Sequence, residues 1–375
     1  MPGLLADVDP DGLLEYSVVY TDRAVNHMSA RFQAAMNDIS SMLRSVYKAD
    51  AAVIVPGSGT FGMEAVARQF ATGQHCLIVR NGWFSYRWTQ ILDMGAIASD
   101  TTVMQARQVA GPGPAPFAPA PIDELVAAIR EQKPAVVFAP HVETSAGLML
   151  PEDYLRALAE AVHEVGGLFV LDCIASGTIW IDMPAIGVDV LISAPQKGWS
   201  GSPCAAFVML GGRALARLPE TNSTSFACDL AKWLEIMRAY EAGGHAYHAT
   251  MPTDALIACR DAMQEARDYG FDRLCDEQQA LGNAVRRLLT EKGLRSVAAP
   301  GYEAPGVVVC YTDDPDVSSG RKFAVEGLQI AAGVPLQCDE GPDYKSFRLG
   351  LFGLDKLYDV DASVARLEAA LDQVL

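Results

Sequence analysis

Two short apolar runs in this chain each deliver a residue that can do chemistry. Leu168-Phe169-Val170-Leu171 leads into Asp172, and Val188 to Ile192 leads into Ser193-Ala194-Pro195-Gln196-Lys197. Apolar runs this short and without alternation belong to strands buried on both faces. In open α/β sheets, ligands sit beyond the carboxyl ends of the strands, where strand order reverses. A lysine amine forms a Schiff base with an aldehyde, and a carboxylate keeps a pyridinium nitrogen protonated so that the ring can accept electrons. Asp172 and Lys197 at two such strand ends are therefore suited to pyridoxal 5'-phosphate (PLP). Gly166-Gly167, before the first run, closes a helix, because glycine accepts the left-handed conformation at a helix end.

The segments Val170 to Ser176 and Ser193-Ala194-Pro195-Gln196-Lys197-Gly198 resemble the cofactor signature of fold-type I PLP enzymes. More narrowly they resemble class V aminotransferases of the alanine/serine–glyoxylate type, over roughly residues 26 to 375. The resemblance implies an α/β fold with a three-layer large domain, a mostly parallel sheet and a smaller α+β C-terminal domain. The expected division is an N-terminal arm over 1–18, a large PLP-binding domain over 19–260 and a small domain over 261–375. It also implies transfer of an amino group from a small alanine- or serine-like amino acid to a 2-oxo acid such as glyoxylate or pyruvate. The expected assembly is a homodimer with shared active sites.

The elements that must position these residues are legible from periodicity. Phe32, Met36, Ile39, Met42, Leu43 and Val46 recur at helical spacing between Ser29 and Lys48. Ala51 to Val55 reads as a strand, followed by Pro56-Gly57-Ser58-Gly59-Thr60 and a helix through Gln69. A strand, a glycine-rich turn and a helix amino terminus make an anion site, because free N–H groups and the helix dipole converge there. The family resemblance makes Ser58, Gly59 and Thr60 phosphate contacts. After the strand Cys76 to Val79, it makes Phe84 the ring-stacking aromatic, with Trp83 as the alternative. Buried strand Ala135 to Ala139 ends in Pro140-His141-Val142-Glu143-Thr144-Ser145-Ala146-Gly147, where Thr144 matches a hydroxyl that bonds the cofactor or substrate. Gln196 is expected to bond the phosphate or nearby backbone.

Further on, Cys204 to Leu210 is a strand, and a helix lies within Thr221 to Gly243. Tyr247, Thr250 and Pro252 fit the family's Tyr-x-x-Thr-x-Pro, which reaches the neighbouring subunit's phosphate. His245 and His248 read as polar surface residues rather than a metal pair. A long helix interrupted near Gly270 follows, then a strand over Val307 to Tyr311, a helix over Ser319 to Ile330 and a final amphipathic helix. Arg348, in Phe347-Arg348-Leu349-Gly350, alternates with apolar neighbours and offers a planar fork for a carboxylate; the resemblance makes it the substrate-carboxylate arginine. Two departures stand out: the family's His-Arg-Ser-like stretch is Asn26-His27-Met28-Ser29 here, and its glycine-rich loop upstream is absent. Both touch substrate binding.

Composition narrows the alternatives. With 29 basic against 46 acidic residues the net charge is −17, which argues against nucleic-acid binding. No segment reads as a membrane span, and Met1 to Asp11 has no basic residue, unlike a secretory or transit signal. Eight cysteines without metal or disulfide spacing read as reduced thiols of a cytoplasmic protein. Cysteine desulfuration or another β-elimination, and a phosphonate-bearing amine as donor, are rivals on the same fold. The first needs a mobile nucleophilic cysteine, for which Cys338 is the candidate, although the acids after it should raise its pKa. A PLP-binding regulator without turnover is a further rival, but no segment is basic enough for its usual DNA-binding module.

Overall fold

The computed structural model describes residues 8–109 and 114–375. Residues 1–7 of the expected arm and 110–113 of the proline-rich loop lie outside the described residues. Helix α1 (Ala30–Tyr47) starts at Ser29, whose hydroxyl accepts the Phe32 N–H, and buries Phe32, Met36, Ile39, Met42 and Leu43. The chain then alternates strands and helices: β1 (Ala51–Pro56), α2 (Gly59–Phe70), β2 (His75–Arg80), α3 (Trp83–Met94), β3 (Asp100–Gln105), α4 (Ile122–Gln132), β4 (Val136–Pro140), α5 (Glu152–Glu164) and β5 (Leu168–Asp172). Next come β6 (Val190–Ser193) and β7 (Ala205–Leu210).

These strands form one seven-stranded sheet in the order β1-β7-β6-β5-β4-β2-β3. β7 pairs antiparallel with β1 and β6, while the other pairings are parallel. Six strands therefore bring their carboxyl ends to one edge of the sheet. Every residue of β4, β5, β6 and β7 is buried, so these runs have no polar alternation. β6 starts two residues later than its apolar run. The Val188 N–H closes a turn on Met183, and the Asp189 carboxylate accepts the Phe169 N–H at 2.8 Å.

Helices α6 (Leu230–Glu241), α7 (Thr253–Tyr269) and α8 (Phe271–Glu291) follow, with the break between the last two at Gly270, φ 107°. A three-stranded antiparallel sheet, β8 (Val307–Tyr311), β9 (Ala331–Ala332) and β10 (Ser346–Gly350), carries β10 in its centre. With α9 (Val360–Val374), it closes a second core around Leu281, Val285, Phe323, Phe347 and Leu371. The helix expected over Ser319 to Ile330 is shorter, only Arg321–Val325. Gly320 and Gly327, at φ 79° and 77°, stop it at both ends. The released residues Ala331 and Ala332 pair with β10, Ala331 lying opposite Arg348.

Candidate active site

A cavity of about 490 Å³ opens beyond the carboxyl ends of β1, β2, β4, β5 and β6. Asp172, the last residue of β5, is 8% exposed, and its carboxylate accepts the Ile174 N–H at 2.9 Å. Burial raises its pKa to about 7; the Glu143 charge pushes the same way and the Arg87 cation opposes it. In the parallel register Ile192 of β6 lies opposite Asp172, so the loop after β6 carries Gln196 and Lys197 to the same cavity. Burial lowers the Lys197 ammonium pKa, and the Arg348 charge lowers it further. The Lys197 Nζ lies 5.3 Å from the centre of the Phe352 ring.

Ser58, Gly59 and Thr60 line the cavity at the start of α2. The Ser58 side chain makes no capping bond, and the Phe61 and Gly62 N–H groups donate to the Ser58 carbonyl, which leaves the N–H groups of Gly59 and Thr60 at the helix start to face an anion. Gly57 makes the turn at φ 125°, and a Cβ on Gly59 would come within 2.5 Å of Ile174 Cδ1. Thr60 Oγ1 accepts a hydrogen bond from Arg87 Nη1 at 2.9 Å. The Gln196 Oε1 is buried and has no partner.

Phe84 lines the cavity and Trp83 does not. What fixes Phe84 is a buried acid. Glu143, fully buried, accepts the N–H groups of Phe84 at 3.2 Å and Ser85 at 2.9 Å, together with the Ser85 hydroxyl at 2.7 Å. It also accepts the Ser145 N–H and hydroxyl, while Ser145 Oγ accepts the Trp83 N–H at 2.9 Å. Glu143 and Ser145 thus satisfy the open donors at the start of α3, where a carboxylate is also favoured by the helix dipole. Gly82 permits this approach: a Cβ there would meet Ser145 Oγ at 2.1 Å and Glu143 Cδ at 2.8 Å. Gly82→Ala is expected to cost roughly 1–3 kcal/mol of stability through overpacking, measured by urea unfolding. An unchanged midpoint would show that the clamp yields.

The guanidinium groups of Arg87 and Arg348 lie 5.1 Å and 5.4 Å from the centre of the Phe84 ring. Arg348 is half-buried on β10; its Nε–H donates to the Ala332 carbonyl at 2.8 Å, and Phe347 and Leu349 beside it are buried. Thr144 also lines the cavity. The structure does not bring Tyr247 and Thr250 to this cavity. Their hydroxyls lie 3.1 Å apart, and Tyr247 is 54% exposed.

Cys338 does not line the cavity either. The Glu340 carboxylate accepts the N–H groups of Leu336, Gln337 and Cys338, which holds the thiol in a tight loop. Burial, with Glu143 and Glu340 adding, pushes that thiol up to about 12. It lacks the acidity of a sulfur-transfer nucleophile. His248 Nε2 bonds the Phe226 carbonyl, and no group of three metal-type ligands occurs among the described residues.

Three residues of the site carried no assigned role in the sequence: Glu143, Arg87 and Phe352. Arg87 falls one helical turn after Phe84, a spacing that places both on one face of α3. Phe352 has no comparable signal, because its place depends on packing against Gly177 and Gly306, which are distant in sequence.

The residues fit PLP. A helix amino terminus suits its phosphate, an aromatic face its ring, a buried acid its pyridine nitrogen and a lysine its aldehyde; the unpartnered Gln196 amide is a further polar group. Fold and site define a class: in sequence and in fold the chain is similar to class V, fold-type I PLP-dependent aminotransferases. No family model matches it. It is 28% identical over 347 residues to a 2-aminoethylphosphonate–pyruvate transaminase of Paraburkholderia xenovorans, covering 89% of this chain and 87% of that one. It is 24% identical over 358 residues to a protein named as a soluble hydrogenase small subunit from Synechococcus sp., covering 93% and 88%. Among solved structures it is similar to an alanine–glyoxylate aminotransferase from Nostoc sp., with a TM-score of 0.78, 25% identity and coverage of 93% and 89%.

Proposed function

We infer that the protein is a PLP-dependent transaminase that moves an amino group from a small amino acid to a 2-oxo acid. The observation that carries this reading is the cavity shared by the Asp172 carboxylate, the Lys197 amine and the amino terminus of α2. Ser58, Gly59, Thr60 and Gln196 would hold the phosphate, Phe84 the ring face and Asp172 the pyridine nitrogen, while Thr144 supplies a hydroxyl to the ring oxygen or the substrate. When bound, PLP supplies an electron sink for the substrate's α-carbon. Lys197 would hold the cofactor through its aldehyde. Its lowered ammonium pKa leaves more neutral amine near neutrality, so a side chain free of the cofactor would be able to accept the α-proton as general base and pass it, as general acid, to the carbon that had been the cofactor's aldehyde. Asp172 would keep the ring nitrogen protonated, a preorganised charge that favours the transition state over the bound substrate.

Arg348 orients the substrate through its carboxylate. Val307 and Ala331 line the same cavity and are apolar, which favours an alanine- or serine-like donor with glyoxylate or pyruvate as acceptor. Arg348→Ala is expected to raise KM for the amino acid by roughly 10- to 100-fold, the worth of charge-assisted hydrogen bonds, with a smaller effect on kcat. Steady-state kinetics with alanine as donor would check this, and an unchanged KM would place the carboxylate elsewhere. The phosphonate relative supports a second donor, 2-aminoethylphosphonate, whose anionic end the same arginine can hold. A half-reaction screen separates the two: the PLP-loaded protein is mixed with each amine in turn, and loss of visible absorbance with release of the keto product is followed. Loss with neither alanine, serine nor the phosphonate would exclude both donors.

The same reading includes a homodimer in the cytoplasm. Exposed Leu13, Tyr16, Val18, Phe61, Phe226 and Tyr247 offer apolar surface for a second copy, and Tyr247 and Thr250 would then reach the partner's phosphate. The division at residues 18 and 260 is part of this proposal. Within it, the second core around Phe323 and Phe347 supports a separate small domain.

A further inference from the structure

We propose that Phe352 is a positioning residue for Lys197. Its ring is the face on which the lysine amine rests whenever that amine is not bonded to the cofactor. The inference rests on the transaminase reading above, because it concerns the interval in which the substrate has displaced the lysine. In that interval the amine must stay within reach of the α-carbon without being captured by an acid.

The ring is built into the site. A Cβ at Gly306 would come within 3.0 Å of it, one at Gly177 within 3.4 Å and one at Gly350 within 3.6 Å. Gly177 and Gly306 from distant segments, with Gly350 two residues earlier in the chain, thus leave a socket filled by this aromatic side chain. The chain on either side of Phe352 is tied down. The Leu351 N–H donates to the Gly306 carbonyl at 2.9 Å, and Gln278 Nε2 donates to the Leu351 carbonyl at 3.2 Å. The Leu354 N–H donates to Ser200 Oγ at 2.9 Å, and Ser200 belongs to the lysine loop itself. That loop also wedges against Gly177, since a Cβ on Gly198 would meet the Gly177 carbonyl at 2.0 Å. Ring and lysine backbone therefore share Gly177 as a common support.

The chemistry of an aromatic face suits the task. It attracts an ammonium through the ring quadrupole but offers no strong proton acceptor. Pairing with Asp172 would instead hold the amine charged and divert the acid from the ring nitrogen. The nearby Arg348 cation works against the charged amine, so an amine over Phe352 is held in place while still able to lose its proton.

The test compares Phe352→Leu and Phe352→Met, which keep an apolar side chain without a π face, with Phe352→Tyr, which keeps the ring. In the cofactor-free protein, the rate at which acetic anhydride acylates Lys197, read by mass spectrometry against pH, reports its pKa. That pKa is expected to fall by roughly half a unit to one unit in Phe352→Leu and Phe352→Met and to hold in Phe352→Tyr. In the PLP-loaded protein, kcat is expected to fall roughly 10-fold with KM within about twofold in the two aliphatic variants, and to be retained by the tyrosine. Tyrosine behaving like leucine, or aliphatic variants matching wild type in both readouts, would overturn the role of the ring. If Phe352→Leu does not fold, the methionine variant stands for it. Wild-type protein that does not fix PLP on Lys197 would overturn the transaminase reading itself, and the role of the ring with it. Fixation in wild type with unchanged aliphatic variants overturns the role of Phe352 alone.

Discussion

Lys197→Ala is expected to leave a folded protein with no measurable turnover. The side chain ends in the cavity and its charged form is disfavoured by burial, so its removal takes no support from the fold. On the proposed function, what is lost is the bond to the cofactor aldehyde together with the group that would move the α-proton. General acid–base catalysis alone is worth about 10²- to 10⁴-fold, and loss of the covalent anchor adds to it. The expected decrease in kcat/KM is therefore at least roughly 10⁴-fold. The visible absorbance of PLP-treated protein should vanish, as should the borohydride-fixed adduct at position 197. Lys197→Arg restores a cation without a usable nucleophile and should be equally inactive. Turnover above about 1% of wild type in either variant would remove Lys197 from the chemistry.

Asp172→Asn is expected to move activity and stability in opposite directions. Its carboxylate supplies a preorganised charge, and losing one such electrostatic contact typically costs about 10²- to 10³-fold in kcat. Stability is set by a different balance. Burial raises the folded-state pKa from 3.8 to about 7, so the native cofactor-free protein holds a proton that the unfolded chain releases. Below pH 3.8 this group contributes no penalty. As pH rises from there towards about 7 the penalty grows, and above about 7 it is fully present. At about 1.4 kcal/mol per pKa unit, it amounts to a few kcal/mol. The asparagine variant without cofactor should therefore be more stable than wild type at pH 8 and should approach it at pH 4, measured by urea unfolding at both values. Added PLP should narrow the gap at pH 8 by stabilising wild type more, because its pyridinium offsets the buried charge. Equal stability at pH 8, or near-normal turnover, would tell against a desolvated acid poised for a pyridine nitrogen.

Much of the architecture was legible from residue order. The unbroken apolar runs ahead of Asp172 and Lys197 are strands buried on both faces, and such strands present their next residues to a common edge when parallel. The turn at Gly57 to Thr60 was readable for the same reason: glycine and a helix start can be recognised locally. The helix after Ser319 was overextended because apolar periodicity continues through Leu328 and Ile330, whereas Gly320 and Gly327 adopt left-handed conformations and release the chain into a strand. Glu143 shows a different limit. Its motif is visible in the sequence, yet its task is to cap a helix that begins some sixty residues earlier, and nothing local reveals that partnership.

The order of residues by itself determined which groups could react: an amine and an acid, each delivered by a buried strand, with an arginine fork further on. It determined this because strand burial and glycine turns are short-range properties, set by a handful of neighbours. Tertiary structure alone decided how those groups are tuned. The raised Asp172 acid, the lowered Lys197 amine, the Arg348 cation beside Phe84 and the packing of Gly177 and Gly306 around Phe352 arise from residues far apart in the chain. Desolvation and charge proximity act through space, and only the folded chain sets those distances.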